Sequence, residues 1–152
     1  MDENGIGTIV VNTAIQIHRE LGPGLLETIY EVILAKELGS QGLLVERQVP
    51  VPIVYRGVRF EEGFRADLIV QGKVILELKS VEQLSKVHGK QVLTYLKLKG
   101  LRLGHVLNFA ANLMKDGIER VANGLPEAHS HLTPPGRKDG RTGIFHGGRR
   151  GA

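Results

Sequence analysis

The stretch FRADLIVQGKVILELKS at 64–80 constrains this chain more than any other. Phe64–Val70 and Lys73–Ser80 are apolar-rich runs on either side of Gln71-Gly72, which is the turn chemistry of a β-hairpin.

Helical and extended patterns flank the hairpin. Over 8–21, Ile9, Val10, Ala14, Ile17, His18 and Leu21 recur at helical intervals, and Gly22-Pro23-Gly24 stops that helix. A second helix is expected at 25–39 on the stripe Leu26, Ile29, Tyr30, Ile33 and Leu34, closed by Gly39 and Gly42. Leu43–Tyr55 reads as a strand whose Pro50 and Pro52 confine part of it to a sheet edge, and Arg56-Gly57 turns into Val58–Phe60. Lys86–Lys99 reads as a third helix weakened in its first turn by Gly89, and Leu103–Phe109 as a further strand. Ile118–Val121 suits a short strand or a helix, and its pattern does not decide between them. After the first helix the order is α-β-β-β-α-β, an α/β fold with a mixed sheet flanked by helices.

Composition bounds the function classes. At 152 residues the chain holds one domain, and its zero cysteines exclude a disulfide scaffold, a thiolate zinc site and a Cys nucleophile. No apolar run approaches the ~18 residues of a membrane span, and the acidic, polar MDENGIG is unlike a signal peptide. A cytoplasmic protein is expected. The net charge is +4, of which residues 127–152 carry +3 and residues 1–126 only +1. The domain is therefore assigned to 1–126, and 127–152, Gly-rich and basic with a Pro-Pro pair, is expected to be a disordered tail. His129, His131 and His146 fall in that tail and are read as solvated.

Within the hairpin, Asp67 and Glu77 lie ten residues apart. An odd-length loop centred near Gln71-Gly72-Lys73 pairs them on one face; a two-residue loop pairs Asp67 with Leu76 and sends Glu77 to the other face. Glu77 and Lys79 share a face in either case. Two close carboxylates repel unless a cation sits between them, and Mg²⁺, an oxygen-seeking ion that keeps several waters, suits the place. With 16 acidic residues and nine lysines in the chain, about one acid-x-Lys match is expected by chance and one is found, so Glu77-Leu78-Lys79 alone carries no information. Gln91 and Tyr95, spaced i, i+4, project together from the third helix, and Glu27 borders the stripe of the second.

These residues bring a family into view. GLLETIYE at 24–31 matches a GxxExxY signature. With GPGLLETIYE, RQVPVPIVYRG, FRADLIV, VILELKSV, QVLTYLKLKGLRLG and NFA in order, the chain from Ile9 to Val121 resembles the GxxExxY proteins, assigned to the PD-(D/E)xK nuclease superfamily. The resemblance implies a restriction-endonuclease-like α-β-β-β-α-β core with an extra N-terminal helix. It implies that Asp67 and Glu77 bind metal, that Lys79 is the active-site lysine, and that Glu27 is a further metal or water ligand. Gln91 and Tyr95 match the QxxxY motif of the RecB-like branch, which positions substrate and active-site groups. Ala66 stands where the superfamily's name has Pro, a backbone feature without catalytic chemistry.

The leading expectation is thus a Mg²⁺- or Mn²⁺-dependent nuclease hydrolysing phosphodiesters, with nucleic acid, DNA first, as partner. Arg65, Lys86, Lys90 and Lys97 are candidate phosphate contacts, with a solvated basic helix face as the alternative for the lysines. No membrane partner is expected, and a homodimer is compatible with the sequence. The alternative function is a non-catalytic module of nuclease fold that binds nucleic acid or protein; a third reading has the acids simply capping a sheet edge.

Overall fold

The computed structural model describes residues 1–127. Apart from Glu127, the tail assigned to 127–152 lies outside the described residues.

Helix α1 spans Glu3–Leu21, opening five residues before its apolar periodicity because the Asp2 side chain caps it by accepting from the Gly5 amide at 2.8 Å. Helix α2 follows at Glu27–Ser40, then strands β1 (Val45–Tyr55), β2 (Val58–Val70) and β3 (Val74–Lys79), helix α3 (Lys86–Lys99) and strand β4 (Leu103–Asn108). After a short 3₁₀ turn, Ile118–Ala122 is an extended strand, β5, which settles the one segment whose pattern was undecided. Val58–Phe60 and Phe64–Val70, separate in pattern, join through Glu61-Glu62-Gly63 into the single strand β2.

The sheet order is β1-β2-β3-β4-β5. Neighbours are antiparallel except β3 and β4, which are parallel and need the α3 crossover between them. One face is covered by α1 and α2 over a core including Val10, Leu34, Leu68 and Leu76; the other by α3 over Ile69, Ile75, Val92 and Val106. This is the α/β architecture of a restriction-endonuclease-like fold. Among the described residues no helix is long and apolar enough to cross a membrane.

Two irregularities in the sheet set the positions of its acidic residues. At the β2–β3 turn, Gln71 (φ 55°) and Gly72 (φ 64°) are both left-handed, and the Lys73 amide donates to the Val70 carbonyl. Lys73 is then an extra residue, so Val70 faces Val74 and Leu68 faces Leu76. The second irregularity lies across β1 and β2. Phe64 and Ala66 belong to the core under α3, but Leu68 and Val70 to the core under α1 and α2. Residues two apart on a regular strand share a face, so β2 reverses its faces across Asp67. Opposite it β1 reverses too, since Val45 packs with the α1–α2 core and Val49 with the α3 core. Between them Gln48 has φ 52°, which is uncommon for a side chain other than Gly, Asn or Asp.

Candidate active site

The odd register of the turn puts Glu77 across from Asp67, but the β2–β3 pairing ends one step earlier, at Leu68 and Leu76. In the gap that opens, the Asp67 carboxylate enters the sheet. Its Oδ2 accepts from the Leu78 amide at 2.9 Å, and its Oδ1 lies 3.4 Å from the Gln48 side-chain nitrogen. Burial raises the Asp67 pKa, with the Leu78 amide opposing and the Glu31 charge adding to the rise.

Glu77 is 9% exposed. Burial, and then the Asp67 charge, push its carboxyl up to about 7, while Lys79 and a hydrogen bond from the Asp67 backbone pull the other way. Lys79 Nζ stands 3.9 Å from Glu77 Oε2, at the outer limit of an ion pair, and Glu77 Oε1 is buried with no hydrogen-bond partner. A buried carboxylate oxygen left without a donor is costly unless something else comes to it.

Tyr95 reaches this region from α3. Its ring stacks on Phe64 with centroids 3.9 Å apart, and the nearby Glu77 and Asp67 charges add to burial in raising its phenol. Gln91, one turn earlier, is exposed. Glu27 opens α2 at the far end of β3. Its Oε2 accepts from the Ser80 amide at 3.1 Å, and its charge is close enough to contribute to the rise at Glu77. Arg65 is engaged elsewhere: it grips Glu62 with two hydrogen bonds, at 2.8 and 2.7 Å, and donates to the Gln48 carbonyl at 3.1 Å. Lys86, Lys90 and Lys97 are exposed on α3.

Four residues that the sequence reading gave no site role adjoin these groups: Glu31, Gln48, Asn108 and Tyr30. Glu31, 6% exposed, accepts from Gln48 Nε2 at 2.8 Å and from Arg47 Nε at 3.1 Å. Asn108, at the end of β4, accepts from the Val81 and Ala110 amides and donates to the Val81 carbonyl, which clamps the chain just after Lys79. Tyr30 donates to the Gly22 carbonyl at 2.6 Å and accepts from the Leu25 amide at 3.1 Å, which fixes the loop leading to Glu27. The signals for Glu31 and Asn108 were present as a Glu at helical spacing beside the apolar stripe and as the NFA motif. A left-handed Gln48 has no sequence signal.

The residues fit a divalent cation. Among the described residues no group of three or more His, Asp or Glu is arranged to hold a metal, so the protein's own contribution here is the Asp67–Glu77 pair with its unpartnered Oε1. A hard divalent cation that binds through one or two carboxylates and keeps several waters suits that pair better than an ion needing a closed cage.

A family model described as the PD-(D/E)XK nuclease superfamily matches residues 4–121. No curated protein and no solved structure gives a match.

Proposed function

The chain belongs to the PD-(D/E)XK nuclease superfamily, and from that premise we propose that it is a divalent-metal-dependent nuclease acting on nucleic acid, DNA first. The observation that carries the reading is the buried, partnerless Oε1 of Glu77 beside Asp67 and Lys79. Asp67 and Glu77 would hold Mg²⁺ or Mn²⁺, with Glu27 as a further metal or water ligand. When bound, such an ion polarises a phosphate oxygen and acidifies a water.

The chain's own residues do the rest. Water adds to phosphorus and gives up a proton to solvent, negative charge grows on the phosphate oxygens, and the P–O ester bond breaks with the departing oxygen taking up a proton from solvent. Lys79, its backbone carbonyl bonded to the Phe109 amide at 2.9 Å, directs an ammonium at that charge. Tyr95, flat against Phe64, and Gln91 orient substrate from α3. Lys86 and Lys90 contact the phosphate backbone, as does Arg65 once it lets go of Glu62.

The finer family reading, a GxxExxY protein of the RecB-like branch, is supported by the placement of its motif residues. Tyr30 locks the Gly22–Leu25 loop, and Tyr95 stands near the acids. A homodimer is supported by the far end of the β1–β2 ribbon. There the pairs Ile53–Phe60 and Tyr55–Val58 place four apolar side chains on one face, with Tyr55 62% and Phe60 51% exposed.

The test is incubation of the protein with double- and single-stranded DNA and with RNA, in Mg²⁺, Mn²⁺ or chelator. Cleavage that requires the metal supports the reading. Tight binding without cleavage under any of these conditions gives the non-catalytic module its place.

A further inference from the structure

We propose that Gln48, anchored by the buried Glu31, is the positioning residue for the Asp67 carboxylate. The inference rests on the assignment of Asp67 and Glu77 as a metal site.

Gln48 Nε2 lies between two carboxylates, 2.8 Å from Glu31 Oε1 and 3.4 Å from Asp67 Oδ1. Ionised carboxylates only accept hydrogen bonds, so the atom between them has to be the amide nitrogen, whose two hydrogens can serve one acid each. Glu31 is held in turn by Arg47 Nε at 3.1 Å. The relay is therefore Arg47, Glu31, Gln48, Asp67, and it ends on the Leu78 amide, which takes the other Asp67 oxygen at 2.9 Å. Each Asp67 oxygen then has one donor, and each keeps a lone pair with which to meet a cation.

The backbone supports the assignment. Gln48 sits at φ 52°, where glycine is favoured and a β-strand is interrupted. Strain of this kind persists where the surroundings over-determine it. Here the left-handed turn coincides with the reversal of faces in β1, and it brings the Gln48 side chain to both acids. A bulge serving only to bend the strand needs no amide at that position, and glycine would serve it better.

The distinction is measurable. Outer partners that orient metal ligands are typically worth 10–100-fold in metal affinity. We would titrate Mn²⁺ calorimetrically into the full chain and into Gln48→Gly, Glu31→Ala and the double variant, and record thermal melts of each without metal. Gln48→Gly suits the local backbone, so it should fold with a melting temperature near that of the parent, yet bind Mn²⁺ about tenfold or more weakly. Glu31→Ala removes the anchor while leaving the sequence of β1 intact and should weaken Mn²⁺ in a similar ratio. The double variant should be little worse than either, because the two residues act as one unit. A Gln48→Gly protein that binds Mn²⁺ like the parent overturns the proposal while leaving the metal site standing, and so do losses that multiply in the double variant. A parent that binds no Mn²⁺ overturns both this proposal and the metal site it rests on.

Discussion

Asp67 Oδ2 accepts the Leu78 backbone amide at 2.9 Å, one step beyond the last residue pair of the β2–β3 ladder. A side chain thus completes a sheet that the main chain has left open, and the same carboxylate faces Glu77. On the proposed reading Asp67 is structural and chemical at once, and the two roles separate by substitution. Asp67→Asn keeps an oxygen for the Leu78 amide, whereas Asp67→Ala leaves that donor without its partner, at a cost of about 1–3 kcal/mol. Chemical denaturation should therefore rank Asp67→Ala clearly below Asp67→Asn in stability, although both lose metal binding.

The pH dependence of the metal-free protein should carry the signature of Glu77. Its carboxyl, raised to about 7 by burial and by Asp67, holds a proton more tightly in the native state than in the unfolded chain. The resulting stability is full below about pH 4.5 and lost as pH rises to about 7, a change on the order of 3 kcal/mol. His105 works in the opposite sense. Buried on β4 and depressed to about 4 by desolvation and then by Arg120, it costs stability as pH falls from about 6.5 to 4. Glu77→Gln removes the first effect and leaves the second. Urea melts should show the variant gaining on the parent between pH 4.5 and 7, and the same gap at every pH would contradict the assignment.

Lys79→Ala should divide binding from chemistry. The ammonium stands 3.9 Å from Glu77 and makes no other ion pair among the described residues, so its loss should leave Mn²⁺ affinity largely intact. If Lys79 stabilises charge that grows in the transition state, cleavage should slow by about 10²-fold or more. Single-turnover rates at saturating metal make the comparison.

Asn108→Ala removes three hydrogen bonds and strands the Val81 backbone after β3 and the Ala110 amide after β4. A loss of about 2–3 kcal/mol is expected in urea. Because the clamp closes just after Lys79, cleavage should fall while metal affinity holds. A variant with parental stability would show that the clamp is redundant.

Much of the fold was readable from residues because the relevant patterns are short-range. Periodicity placed the helices, and Gln71-Gly72 placed the hairpin. The register between Asp67 and Glu77 was not readable, because it hangs on whether Lys73 is counted in the turn or the strand, and both choices satisfy the same apolar pattern. The reversal of faces at Gln48 and Asp67 was hidden for a related reason. Strict alternation is the rule that reads a strand, and the site lies where both strands break it. Helix α1 began earlier than expected because Asp2, and not an apolar residue, sets its start. Ile118–Ala122 is extended because β4 pairs with it, which a five-residue segment does not reveal by itself. Glu31 drew no reading from its helix, because the partners that meet its buried carboxylate, Arg47 and Gln48, come from β1.

Calorimetric titration of Mn²⁺ into the parent and into Glu77→Gln tests the central claim most directly. The partnerless Glu77 Oε1 beside Asp67 is the feature that calls for a cation, and the substitution replaces the ionisable carboxyl with a neutral group of nearly the same shape. The account predicts saturable binding to the parent and none to Glu77→Gln at the same concentrations. Equal binding to both proteins, or none to the parent, would contradict it.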